Sequence, residues 1–238
     1  MNKTLGAGCA IVVMAKVPRP GEVKTRLIPA LSATEAAQLA ECFLCDVVST
    51  AMQIADSVVL AYGPRDGRLA MEPLLPFKLL WREQRGETLG ERMHDALGYA
   101  FGKGFGTAIV IGTDSPHLPA SQIRRAMDAL ASSECDAALV PTDDGGYSLL
   151  GIRKPCSDLF EDISWSSAGV FAATLERIMQ TGMTPMILET HYDIDDIDDL
   201  VRLQREIADD PATAERGHPR TSRWILSRFP TNTEDVPD

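Results

Sequence analysis

The chain has 238 residues, 45% of them hydrophobic, and its 34 acidic against 23 basic side chains give a formal net charge of -11 at pH 7. That length and apolar content support one sizeable core, while the acidic balance speaks against non-specific binding to nucleic acid or anionic membranes, which depends on clustered Lys and Arg. The five cysteines show no framework spacing. With no apolar run near the eighteen or so residues of a membrane span and no signal-peptide pattern at the start, a reduced, cytoplasmic location is expected.

The apolar run that begins at Cys9 predicts a strand over 10–14. It feeds into Ala15-Lys16-Val17-Pro18-Arg19-Pro20-Gly21-Glu22-Val23-Lys24-Thr25-Arg26-Leu27, a loop with four cations in an otherwise acidic chain. Two prolines stiffen this loop and Gly21 allows close backbone approach, while Lys24 offers a point charge and Arg26 a fork for anionic oxygens. Such a loop suits phosphate, although a solvated surface loop has the same composition. Ser32-x-x-Glu35 and Thr88-x-x-Glu91 are capping boxes that open helices over 32–54 and 88–101. Cys42 and Cys45 fall inside the first of these as small helix residues, because no second pair or histidine completes a zinc site.

Further strands are predicted over 57–62, 77–81, 108–112, 137–141, 148–152 and 186–189. Helices are expected after Pro119, after 166–167, and after the aspartates at 195–199. Val- and Ile-rich runs alternating with helical periods indicate an α/β protein whose strands are covered on both faces. A single domain over 1–208 is expected, followed by an irregular arm over 209–238 whose Trp224-Ile225-Leu226 could dock on the domain or on a partner. A homodimer stays open at this point.

Three acidic motifs follow predicted strands. Ile109-Val110-Ile111-Gly112-Thr113-Asp114-Ser115-Pro116 places Asp114 at a strand's carboxyl end, where ligands bind in open α/β sheets, although an Asp there also serves as a helix cap or turn former. Asp143-Asp144-Gly145-Gly146-Tyr147 reads equally as an Asp-Gly hairpin turn or as a base beside an acceptor, with Gly145 and Gly146 letting a ligand approach. Tyr192-Asp193-Ile194-Asp195-Asp196-Ile197-Asp198-Asp199-Leu200 holds five aspartates in seven positions. The last three suit a helix first turn and leave Asp193 and Asp195 free. Oxygen ligands of this kind favour Mg²⁺ or Mn²⁺ over zinc. His94, His117 and His191 have no ligand spacing and are expected on the surface or in packing. P-loop, dinucleotide-binding and serine-esterase motifs are absent from the sequence.

The stretch from Met14 to Leu27, with Leu89-Gly90-Glu91-Arg92-Met93, Gly112-Thr113-Asp114-Ser115-Pro116, Asp144-Gly145-Gly146-Tyr147 and Trp165-Ser166-Ser167, resembles the DUF2064 family. This is the group labelled transferase 1, associated with radical-SAM and selenium-domain genes, within the GT-A superfamily. The resemblance implies a nucleotide-diphospho-sugar transferase fold, an α/β/α sandwich on a mixed, mostly parallel sheet, with a divalent metal at Asp114. A D-x-D-T-P-E-D-L stretch in related enzymes is similar to residues 193–200 and points to Asp195 as second ligand, although Asp196-Ile197-Asp198 replaces Thr-Pro-Glu. Lys24-Thr25-Arg26-Leu27 resembles a phosphate-binding stretch of 2-phospholactate guanylyltransferase.

The expected site therefore comprises Asp114 and Asp195 on Mg²⁺ or Mn²⁺, with Ala15, Lys16, Arg19, Gly21, Lys24, Arg26, Gly90, Gly145 and Gly146 on substrate. Lys24 and Arg26 offset charge on the leaving phosphate, and Asp144 orients or deprotonates an acceptor hydroxyl. The activity implied is a metal-dependent transfer from a nucleotide sugar to a small-molecule acceptor. Nucleotidyl transfer from a nucleoside triphosphate, releasing pyrophosphate, and nucleotide binding without catalysis are the alternatives.

Overall fold

Strand β1 (Cys9–Lys16) is buried on both sides, with Ile11, Val13 and Ala15 facing one apolar cluster and Ala10 and Val12 facing another. That two-sided burial requires helices on both faces of the sheet, because an alternating strand can leave one face to solvent and this one cannot. The computed structural model describes residues 8–165 and 167–229. Residues 1–7, Ser166 of the Trp165-Ser166-Ser167 motif and 230–238 lie outside that description.

Around β1 are β2 (Ser57–Gly63), β3 (Leu80–Glu83), β4 (Thr107–Ile111), β5 (Ala137–Pro141), β6 (Tyr147–Ile152) and β7 (Pro185–Ile187), in the order β3-β2-β1-β4-β6-β5-β7. Only β6 runs against its neighbours, so the mixed, mostly parallel sheet is as expected. The helices are α1 (Ala33–Ile54), α2 (Arg68–Met71), α3 (Leu89–Gly102), α4 (Ala120–Ala131), α5 (Val170–Gln180), α6 (Ile197–Asp209), α7 (Pro211–Gly217) and α8 (Pro219–Arg228). α1 and α4 cover one face through Leu44, Val48, Ile123 and Leu130, and α3 and α5 cover the other through Met93, Leu97 and Ile178. Both capping boxes form, with Glu35 N–H on the Ser32 hydroxyl and Glu91 N–H on that of Thr88 at 3.2 Å each.

Two expectations need correction. The strand predicted over 77–81 begins at Leu80, because Phe77 N–H turns back to the Leu75 carbonyl at 2.7 Å and the ladder with β2 starts only at Val59–Leu80. The irregular arm expected from residue 209 is helical over α7 and α8. Pro211 and Pro219 sit in the first turns of these helices, where no N–H is needed. Buried Asp46 of α1 receives the N–H groups of Arg220 (3.2 Å) and Thr221 (2.8 Å) at the start of α8. Ile225 then completes a third cluster with Leu39, Phe43, Leu203 and Ile207. The segment with Trp224 thus docks on the domain itself.

Candidate active site

The carboxyl ends of β1, β4 and β5 and the amino end of β6 share one edge of the sheet, and a cleft of about 720 Å³ opens there. On one flank the cationic loop leaves β1. Lys16 Nζ donates to the Glu22 carbonyl at 2.7 Å, which folds the loop back on itself. Leu27, fully buried in the third cluster, anchors the far end, and Lys24 between them takes a left-handed backbone with φ 47°. A non-glycine residue in that region is strained and persists only where its surroundings hold it.

The Lys24 side chain is 7% exposed, and its ammonium reaches Asp114 Oδ1 at 2.5 Å, Asp195 Oδ1 at 3.0 Å and the Ile194 carbonyl at 2.6 Å. The Phe43 ring lies beneath it at 5.5 Å. Burial by itself would lower the lysine pKa, but the charges of Asp114 and Asp195 outweigh that and leave it raised. Arg26 approaches the other oxygen of Asp195 at 3.5 Å from an exposed position. The two acidic tips are tied directly, because Ile194 N–H donates to the Asp114 carbonyl at 2.9 Å.

Next to them Ser115 Oγ donates to the Asp193 carboxylate. Burial raises the Asp193 pKa to about 6, with the neighbouring Asp114 and Asp195 charges adding to the shift. Asp196 caps α6 through the N–H groups of Asp198 and Asp199, and Asp199 accepts in return from the N–H of Asp195 and Asp196. The helix consumes three of the five aspartates, as their positions suggested.

Asp144 serves as a turn former and also faces the cleft. Its Oδ1 accepts from Thr142 Oγ1 at 2.6 Å and from Gly146 N–H at 3.0 Å, which leaves Oδ2 for a ligand. Asp143 turns away to pair with Arg202 at 3.0 Å.

Lys24, Arg26, Asp114, Asp144 and Asp195 line the same cleft, together with Ala15, Lys16 and Gly146. Four expected substrate contacts stand outside its lining. Arg19 is drawn off by Asp66 at 2.7 Å, and Gly21, at φ +79°, only turns the loop. A Cβ at Gly90 would come within 2.3 Å of the Trp165 ring, so this glycine makes room for the indole. Gly145, at φ +88°, packs against the Ala168 carbonyl. Tyr147 and Trp165, from the motifs quoted above, complete the walls together with Gln84 and Val170. Gln84 spends its amide hydrogens on the carbonyls of Ala15 (3.2 Å) and Ala61 (2.8 Å).

Behind the acidic tips, the His117 ring packs at a tilt against His191 (4.3 Å between centroids) and Tyr192 (4.2 Å), with His218 at 6.3 Å. Both His117 ring nitrogens are buried without a partner among the described residues. Burial holds the His117 pKa well below the usual value, reinforced by His191, His218 and Arg202, and burial takes His191 down to about 4. Between these values and about 6.5 the unfolded chain takes up protons that the folded one refuses, so stability falls as the pH drops through that window. The urea midpoint is expected to fall from pH 7.5 to pH 5. His117→Phe, which keeps the ring contacts without the titration, is expected to fall less, and an equal fall would remove His117 from the account.

A seven-stranded mixed sheet between helices, with an acidic and cationic cleft at its carboxyl edge, has the fold of nucleotide-diphospho-sugar transferases. The chain belongs to the DUF2064 family, described as uncharacterized protein conserved in bacteria, whose model matches residues 47–167. That span contains Asp114 and Asp144, whereas Lys24, Arg26 and Asp195 lie outside it. Among solved structures, a Desulfovibrio desulfuricans G20 protein provisionally assigned as a nucleotide-diphospho-sugar transferase is 29% identical, with a TM-score of 0.85 over 92% of this chain and 94% of that one. The 4-diphosphocytidyl-2C-methyl-D-erythritol synthase of Anaerococcus prevotii DSM 20548 (TM-score 0.57, 10% identity, 84% of this chain and 98% of that one) shares the fold. So does a CMP:2-keto-3-deoxy-manno-octonic acid synthetase complexed with CTP (TM-score 0.55, 12% identity, 85% and 99%). No curated protein matches the chain.

Proposed function

We propose that the protein is a metal-dependent transferase that binds a nucleotide-diphospho-sugar and passes its sugar to a small-molecule acceptor. The observation that carries this reading is the meeting of Asp114 and Asp195 on a single cation, Lys24 Nζ, at 2.5 and 3.0 Å. Two carboxylates that meet on one cation present the hard oxygen donors that Mg²⁺ or Mn²⁺ prefers. Mg²⁺ ordinarily takes one or two carboxylates and completes its shell with substrate phosphates and water. The provisional assignment of the Desulfovibrio protein supports the same reading.

A metal held by Asp114 and Asp195 would supply Lewis-acid stabilisation of the leaving diphosphate. Lys24 and Arg26 grip the phosphate oxygens and offset the charge that develops on them, and Lys16 adds a cation at the rim. Asp144, fixed through Oδ1 by Thr142 and Gly146 N–H, presents Oδ2 to orient or deprotonate an acceptor hydroxyl.

A thermal-shift screen of nucleotides and nucleotide sugars, with and without Mg²⁺, tests the reading. A ligand at about a hundred times its Kd adds about 2.7 kcal/mol, which for a chain of this size is roughly 5–10 °C. The expected response depends on Mg²⁺. A metal-independent response, or none to any nucleotide, counts against the proposal. With a ligand in hand, release of nucleoside diphosphate marks sugar transfer and release of pyrophosphate marks nucleotidyl transfer. Binding without either product marks a nucleotide sensor.

A further inference from the structure

Lys24 holds more than a phosphate-binding lysine needs. An ammonium has three donors, and here all three are spent inside the protein, on Asp114, on Asp195 and on the Ile194 carbonyl. The stem is enclosed with Phe43 beneath it, and the backbone is kept in the left-handed region. The ammonium therefore occupies the point between the carboxylates that a divalent ion would take. A bare ion arriving there meets a positive charge at contact distance in a partly enclosed site, where repulsion is far stronger than in water.

From this geometry we infer that Lys24 is a resident counter-cation: it keeps Asp114 and Asp195 closed to free divalent metal and releases them only when a diphosphate arrives to receive its ammonium. The inference rests on the metal-dependent reading given above and adds the order of events to it. A diphosphate supplies anionic oxygens to Lys24, so that ammonium and metal no longer compete for the same two carboxylates. Arg26, 77% exposed and 3.5 Å from Asp195, can turn to the phosphate with it at little cost. Metal and diphosphate then bind with positive coupling, each raising the affinity of the other by the same factor. The protein admits the metal as a metal–diphosphate pair and does not hold it in waiting.

The test is calorimetric titration of Mn²⁺ alone, and of Mn²⁺ with inorganic pyrophosphate, into the wild type and Lys24→Met. Methionine keeps the apolar stem over Phe43 and removes the charge. Removing a cation from the phosphate loop is expected to raise the affinity for Mn²⁺ alone at least tenfold, and to weaken binding of the Mn²⁺–pyrophosphate pair. Equal or tighter binding of Mn²⁺ alone by the wild type overturns the inference while leaving the metal-dependent transferase in place. If neither protein takes up the Mn²⁺–pyrophosphate pair, the transferase reading falls and the inference with it. Should Lys24→Met not fold, equilibrium dialysis of the wild type decides. Protein-bound Mn²⁺ must gain at least tenfold in affinity with saturating pyrophosphate, and no gain overturns the inference.

Discussion

On the metal-dependent reading proposed above, in which Asp114 holds the metal, Asp114→Asn is expected to lower turnover about a thousand-fold while leaving the fold intact. Asp114 lies three residues beyond the fully buried β4, and its backbone carbonyl is held by Ile194 N–H at 2.9 Å, a contact that the side-chain change leaves in place. Asparagine keeps the size and one oxygen but cannot neutralise a cation, so the loss falls on electrostatic stabilisation of the leaving phosphate. Removing one preorganised group of this kind costs about 10²–10³ in rate, and a metal ligand stands at the upper end. Stability should move little, because the side chain is half exposed and Lys24 keeps Asp195 and the Ile194 carbonyl. Turnover by the variant and by the wild type, with melting temperatures alongside, settles the matter. A variant that keeps a tenth of the wild-type rate would show that Asp114 does not hold the metal.

The sheet was legible because its strands are apolar on both faces and its main helices are marked by capping boxes or by a preceding proline. Ser32 with Glu35 and Thr88 with Glu91 fixed the starts of α1 and α3 to within a residue. Residues 211–228 were misread for a local reason, since proline and polar composition look the same in a helix first turn as in a loop. What makes them helical lies far away in the chain, in the carboxylate of Asp46 and the apolar faces of α1 and α6. In the cleft, the charged residues were legible because charge at a strand end is unusual in itself. Trp165 was present in a recognised motif, but its place in the wall depends on Gly90, seventy-five residues earlier, leaving room for the ring. Glycine in a sequence announces freedom or space without saying who uses the space. At Gly90 a side chain of the protein takes it, and at Gly145 a neighbouring loop does.

That distinction yields the second large effect, on Gly145. Its φ of +88° disfavours any side chain, and a Cβ built there would lie 2.0 Å from the Ala168 carbonyl oxygen and 2.7 Å from its carbon. These are backbone atoms, with no rotamer by which to yield. The turn is also pinned on both sides, with Gly145 N–H on the Thr142 carbonyl at 3.0 Å and Phe171 N–H on the Gly145 carbonyl at 2.9 Å. Gly145→Ala should therefore cost about 1 kcal/mol for the left-handed backbone and about 1–3 kcal/mol for overpacking, roughly 2–4 kcal/mol together. Gly182→Ala provides the comparison, since Gly182 has φ +72° with nothing within 4 Å of a Cβ and should show the backbone cost alone. Urea unfolding of the two variants separates strain from clash. Equal losses would mean that the 143–146 turn does not rest on residue 168 in solution. If the losses differ as expected, the same displacement moves Asp144 Oδ2 away from the cleft, so Gly145→Ala should also lose turnover where Gly182→Ala keeps it.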